Sequence, residues 1–501
     1  MIQRLLVANR GEISVRIGRT ARDLGIEYIA IYSDADRNAL HVLLSDRAYR
    51  VGPPESERSY LNMERIIQIA KDAGADAIHP GYGFLSENAD FAEKVIEAGL
   101  IFVGPPPEAM RLMGDKLQAR KLAQKVGVPT VPGSKEGIST VEEGIEIARK
   151  IGFPVLLKAA MGGGGKGMRV VRSEEEFSSA FKLAQAEALG AFGDPTIYIE
   201  KFIENPRHVE MQIIADRYGN VVYLGERECS IQRRHQKIIE ESPSPVMTPE
   251  KRKEMGEAAV ELIRAAGYYN AGTVEFLVDS ELNFYFLEVN ARLQVEHPVT
   301  EVRLGMDLVK EQLRVAVGEK LSFSQKDIQP RGWAIEARIY AEDPANNFFP
   351  SPGLIKFLRE PQGPYIRVDS GVYQGYEVPI YYDPMLSKLI AWGENRDEAL
   401  ARLERALNEY IVFGIKTAID FHKQIINDER FRRGDIHTGF LNEFIYSSIE
   451  RKRDAAIAGT LVYSSKSAMP RVETGECKPE SKWKIIGREL ALKGGLDEIL
   501  G

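Results

Sequence analysis

Apolar positions in the first hundred residues alternate between two periods. Residues 2–9 (IQRLLVAN) and 27–33 (EYIAIYS) carry near-continuous apolar runs, while 11–25 between them repeats apolar positions at helical spacing and stops at Gly25. Strand, amphipathic helix and strand in that order predict a βαβ unit. The alternation recurs as a helix over 60–74, a strand over 76–80, a helix over 86–99 and a strand over 100–104. Such repetition predicts a parallel, doubly wound sheet with crossover helices, an α/β fold. The first turn, Ala8-Asn9-Arg10-Gly11, lacks the three glycines of a dinucleotide fingerprint, so this sheet is not read as an NAD domain.

The run Gly104-Pro105-Pro106-Pro107 interrupts this pattern ahead of a helix-like stretch over 108–126 and sets a first boundary. Residues 131–203 hold a helix, a strand from Phe153 to Lys158, the glycine run 162–165, a further helix and a strand over 196–202, enough for a small lid. From 208 to 330, strands bearing charged residues precede helices over 250–266 and 306–317, and composition shifts at Gln329-Pro330-Arg331-Gly332. Residues 451–501 are richer in Lys, Ser and Glu, with weak periodicity, and read as a peripheral tail.

Composition narrows the classes. A chain of 501 residues with 44% hydrophobic and 28% charged content is a multidomain globular protein. Lys and Arg (66) against Asp and Glu (73) give a net charge of −7, which disfavours a nucleic-acid partner and leaves anionic ligands to local cations. The apolar start is too short for a signal peptide, and no stretch approaches the roughly 20 residues that span a bilayer, so a cytoplasmic protein without membrane contact is expected. Two cysteines, Cys229 and Cys477, make neither a disulfide framework nor a zinc cluster and read as ordinary thiols.

Three segments carry candidate chemistry. After the strand ending at Lys158, four consecutive glycines flanked by Lys166 and Arg169 offer backbone N–H groups to an anion. The run is not a Walker loop, and a bare glycine run reads equally as a hinge; the flanking cations favour a polyphosphate. Glu275 and Glu288 interrupt two apolar strands of a hairpin turned at Asp279-Ser280-Glu281, and oxygen ligands so placed suit Mg²⁺, unless both face solvent. In the segment from Asn290 to Pro298, Arg292 has the fork to clamp a planar anion such as bicarbonate, with Glu296 close enough in sequence to take its proton; a surface Arg–Glu pair has the same pattern.

Taken in order, KAAMGGGGKGMR, EKFIENPRHVEMQ, RECSIQRRHQKIIEESPSP, EFLVD and FLEVNARLQVEHPVTE resemble the ATP-grasp domain of biotin carboxylases. LLVANRGEISVRI and HPGYGFLSEN resemble that family's N-terminal domain, and IEARIYAEDP, FFPSPG, VDSGVYQGYEVPIYYDPMLSKL and FGIKT its C-terminal domain. The resemblance implies a Rossmann-like N-terminal domain over 1–114, an ATP-grasp domain over 115–330 with a mobile lid at about 131–203, an α+β C-terminal domain over 331–447, and a tail over 448–501. It further implies that Lys116, Lys158, Gly164, Gly165, Glu200, Lys201, Ile203, His208, Gln232 and His235 contact ATP. Glu275, Glu288 and Asn290 would hold one or two Mg²⁺ ions, or Mn²⁺, and Lys237, Arg292, Gln294 and Val295 would hold bicarbonate. Glu296 would be the base that frees bicarbonate to attack the γ-phosphate, Arg338 would stabilise the biotin enolate, and Tyr82 would line the biotin pocket. Lys166 departs from the arginine of many members, keeping charge but losing the planar fork.

The tail offers Ala468-Met469-Pro470 and no Ala-Met-Lys-Met acceptor, so the resemblance implies that biotin arrives on a biotin carboxyl carrier protein or a biotinylated carboxyltransferase subunit. Lys482-Trp483-Lys484 is either a docking element for it or plain surface. A homodimer with Arg16 and Arg19 near its interface is also implied. Pyruvate, on the likeness of the tail to ATP-binding subunits of two-subunit pyruvate carboxylases, stands slightly ahead of acetyl-CoA and propionyl-CoA as final acceptor. An amine in place of biotin, in an ATP-grasp carboxylate–amine ligase, is the enzymatic competitor; a nucleotide-sensing or scaffold subunit is the other.

Overall fold

A computed structural model describes residues 2–134, 136–159, 168–192, 195–234 and 236–447. The strands expected near the N-terminus form as Arg4–Val7, Glu27–Ser33, Ala77–His79 and Ile101–Phe102, all parallel in one five-stranded sheet. The fifth strand, Arg47–Gly52, escapes the sequence pattern because it is an edge strand: only Val51 and Gly52 are buried, and Arg47 and Arg50 break the apolar run. The helix expected over 108–126 is two helices, Pro107–Gly114 and Lys116–Lys125. Asp115 divides them, since its extended backbone lets Oδ1 accept from the N–H groups of Leu117 and Gln118, both at 3.0 Å, capping the second helix.

Within 131–203, strands Val155–Ala159, Met168–Val171 and Ile197–Lys201 make a separate antiparallel sheet flanked by helices Val141–Ile151 and Glu174–Phe192. Leu157, Phe177, Phe181 and Ile199 fill a core of its own, as a small subdomain requires.

An eight-stranded sheet holds the functional residues. Strands Arg207–Ala215, Val221–Arg233, Gln236–Ser242, Asn270–Val278 and Phe284–Asn290 are continuous in it with Trp333–Tyr340, Ile366–Ser370 and Met385–Gly393. The composition change at 329–332 therefore falls in a loop, because Gln236–Ser242 pairs across it with Trp333–Tyr340, from Ile239 opposite Ala337 to Ser242 opposite Ala334. The expected hairpin closes at Asp279, whose Oδ1 accepts from the N–H groups of Glu281 and Asn283 at 2.9 Å. Among the described residues no helix is long and apolar enough to cross a membrane.

Candidate active site

Strand period and register bring the charged residues together. His208, Glu210 and Gln212 occupy alternate positions of one strand and so share a face. Glu210 lies opposite Arg227 on one neighbouring strand and Glu275 on the other, and Glu275 lies opposite Glu288. Gln212 lies opposite Thr273, which lies opposite Asn290. Burying such a row is costly unless every member is paired.

Two cations satisfy most of it. Arg227, fully buried, donates through Nε to Glu210 Oε1 at 2.6 Å and through Nη1 to Gln212 Oε1 at 2.6 Å. Lys237 Nζ reaches Glu210 Oε2 at 2.5 Å, Glu275 Oε1 at 2.9 Å and Glu296 Oε1 at 2.6 Å. Arg338 Nη2 meets the other oxygen of Glu296 at 2.9 Å and Glu240 Oε1 at 2.5 Å, while His208 Nε2 lies 3.0 Å from Glu275 Oε2.

Burial opposes ionisation of Glu275 and Glu296, but Lys237 with His208 for the first, and Lys237 with Arg338 for the second, hold both well below the usual carboxylate range. Glu210, Glu275 and Glu296 overcome burial to hold Lys237, and Glu240 and Glu296 to hold Arg338, well above their ordinary values. At Glu240 burial outweighs Arg338, and its carboxyl is pushed up to about 7. Cys229 Sγ lies 3.8 Å from Glu296 Oε1, and burial lifts its thiol well above the ordinary range, so it is an inert thiol.

These groups face a cavity of about 1210 Å³. Of the expected nucleotide residues, Lys116, Lys158, His208 and Gln232 line it, as do Glu275, Glu288 and Asn290 of the metal set. Lys237, Arg292, Gln294 and Val295 line it too, with Tyr82 and Arg338. Glu296 is fully buried behind this wall, reached through Lys237 and Arg338. Glu200, Lys201 and Ile203 are not in the described lining: Glu200 is bonded to Lys158 and Arg120, and Lys201 Nζ donates to the carbonyls of Gly152 at 2.9 Å and Phe153 at 3.0 Å. Gly164, Gly165 and His235, like the whole tail from 448, lie outside the described residues.

The direct Arg292–Glu296 surface pair that the same spacing allows does not form. Lys237 and Arg338 hold Glu296, and Arg292 Nε donates instead to Glu87 Oε2 at 2.8 Å, with Nη2 on Asn290 Oδ1 and Nη1 on Gln294 Oε1, both at 3.0 Å. Glu87, Glu210, Arg227 and Glu240 join the site without any sequence expectation pointing to them. The one local signal for Glu210 is a polar side chain at every second position in His208-Val209-Glu210-Met211-Gln212, within an otherwise apolar strand.

Glu275 and Glu288 face one another, and Asn290 shares the face of Glu288 two residues on, so two carboxylates and a carboxamide oxygen supply a hard-cation donor set. This set fits Mg²⁺ or Mn²⁺. Glu288 is its accessible member, its side chain 36% exposed and 3.3 Å from Lys116 Nζ. Elsewhere, Arg19 is exposed, whereas Arg16 is buried and bonded to Glu301 at 2.7 Å and Asp307 at 2.8 Å.

Comparison with known proteins places this geometry in a family. Residues 1–110 match the biotin carboxylase N-terminal domain, 115–324 the ATP-binding domain of the carbamoyl-phosphate synthase L chain, and 336–443 the biotin carboxylase C-terminal domain. A pyruvate carboxylase subunit from Methanothermobacter thermautotrophicus is 55% identical over 444 residues, covering 89% of this chain and 90% of that protein. Biotin carboxylase 1 of Bacillus subtilis is 54% identical over 445 residues, covering 89% and 99%. Among solved structures, the biotin carboxylase domain dimer of Hydrogenobacter thermophilus 2-oxoglutarate carboxylase, in complex with MgADP, ADP and bicarbonate, aligns with a TM-score of 0.81 at 47% identity, covering 89% of this chain and all of that one (100%). The chain belongs to the biotin carboxylases, ligases that carboxylate biotin at the expense of ATP.

Proposed function

We propose that this cavity carboxylates a biotin carried on a separate polypeptide, with the residues named above in the roles their positions suit. The observation that carries the reading is Lys237, whose one ammonium touches Glu275 of the metal set and Glu296, the candidate base, at 2.9 and 2.6 Å. Bicarbonate entering beside Lys237, Arg292 and Gln294 competes for the cation that suppresses the basicity of Glu296. Releasing Lys237 toward the incoming anion raises the proton affinity of Glu296 at the moment a proton is to be removed.

A bicarbonate oxygen then bonds to the γ-phosphorus of ATP as the bond to the β-phosphate oxygen breaks, giving ADP and carboxyphosphate. Lys116, Lys158, His208 and Gln232 hold the nucleotide, and the Glu275, Glu288 and Asn290 set holds Mg²⁺, which neutralises phosphate charge when bound. Carboxyphosphate breaks down to carbon dioxide and phosphate, the phosphate takes the N1 proton of biotin, and N1 then bonds to the carbon of carbon dioxide, giving carboxybiotin. Arg338, fixed by Glu240 and Glu296, faces the enolate oxygen with a charge that needs no rearrangement, and Tyr82 lines the ring pocket.

The 55% identical pyruvate carboxylase relative favours pyruvate as the final acceptor. A homodimer, as in the Hydrogenobacter domain, would use exposed Arg19, while Arg16 braces the same surface from within. The reaction belongs in the cytoplasm, where ATP is available. Its test is ADP release with Mg-ATP, with and without bicarbonate and free biotin. Release that needs bicarbonate and rises with biotin is expected; stimulation by an amine but not biotin would favour a carboxylate–amine ligase.

A further inference from the structure

We infer that Lys388 is a positioning residue that fixes the backbone of the bicarbonate-binding segment. Lys388 lies on strand Met385–Gly393, opposite Arg338 on one neighbouring strand and Asp369 on the other. Its side chain is fully buried, and Nζ donates to the carbonyl oxygen of Val295 at 2.8 Å. Val295 is the residue between Gln294, which lines the cavity, and Glu296, the candidate base. The ammonium lies 3.4 Å from Glu12 Oε2 at the start of helix Gly11–Asp23, and 5.8 Å from the ring centre of Tyr82.

One buried cation thus joins the strand beside that of Arg338, the first helix and the segment carrying Arg292, Gln294 and Glu296. A lysine with no other task would be an expensive group to bury, and leucine or methionine fills the same volume without its desolvation cost. Asp369 does not need Lys388, because Arg367 already holds both its oxygens at 2.9 and 2.7 Å. The bond to Val295 is directed at main chain, so it sets where Gln294 and Glu296 point whatever their own side chains do. This inference rests on the bicarbonate reading of that segment.

The test compares wild type, Lys388→Met and the charge-neutral double variant Glu12→Gln/Lys388→Met, which leaves no unpaired buried charge if the single variant folds poorly. ADP release is followed with bicarbonate varied at saturating ATP, then with ATP varied at saturating bicarbonate. The KM for bicarbonate is expected to rise about tenfold or more in both variants while that for ATP stays within about twofold. An unchanged bicarbonate KM in the folded double variant, or equal rises in both KM values, overturns the positioning role. Wild-type turnover independent of bicarbonate would overturn the underlying reading, and this inference with it.

Discussion

Replacing Lys237 with methionine removes one charge from among three buried carboxylates and nearly preserves volume. Glu210, Glu275 and Glu296 then share a buried site with Arg227, Arg338, His208 and Arg292 as neighbours. Breaking a buried ion pair from one side costs about 3–5 kcal/mol. If Met1–Tyr446 unfolds together, with roughly 2.1 cal/mol/K of unfolding entropy per residue, that is a fall in Tm of about 3–5 °C. The pH dependence is the sharper signature. In the wild type Glu275 and Glu296 are held below the ordinary 4.5, so their contribution is present above that pH and lost as pH falls through their folded values. Removing Lys237 takes away the largest influence opposing burial, so both carboxyls rise, and the stability lost relative to wild type is incurred as pH climbs through the raised values. Differential scanning calorimetry from pH 5 to 8 should show the deficit growing with pH. A deficit that is constant, or that is largest in acid, refutes the claim that Lys237 sets the charge of this cluster.

Glu296→Gln keeps the shape of the base and removes its proton affinity, so bicarbonate-dependent turnover should fall by about 10²–10⁴ while nucleotide binding by calorimetry persists. Glu288→Gln weakens the accessible metal ligand, and the Mg²⁺ concentration giving half-maximal ADP release should rise; an unchanged midpoint argues against Glu288 as a ligand. Burial pushes Glu12 from 4.5 to about 7 despite Lys388, so its stabilising contribution is complete below 4.5 and lost as pH climbs through 7. The stability of Glu12→Gln relative to wild type should therefore rise by up to about 3 kcal/mol from pH 5 to 8, read by denaturant titration, superimposed on the pH-independent cost of leaving Lys388 without its carboxylate.

Local chemistry made part of this molecule legible. The hairpin carrying Glu275 and Glu288 shows in two apolar runs around Asp279, and the N-terminal sheet in strand–helix alternation, because most of their strands bury consecutive residues and so read as near-continuous apolar runs. Arg47–Gly52 does not show, since an edge strand needs no such run. The helix break at Asp115 is readable in principle from a capping residue followed by Lys-Leu-Gln. What sequence spacing does not show is partners: Glu296, four residues from Arg292, bonds Lys237 and Arg338, while Arg292 takes Glu87 from more than two hundred residues away. Register across the eight-stranded sheet decides such partners, and Glu210, Glu240 and Lys388 acquire meaning only once that register is known.

The most direct test is transfer of label. Wild-type protein given ATP, Mg²⁺, isotopically labelled bicarbonate and free biotin should yield labelled carboxybiotin in an ATP-dependent manner, trapped at alkaline pH before it decays. ATP cleavage with no label on biotin, or label recovered on an added amine, would contradict the account.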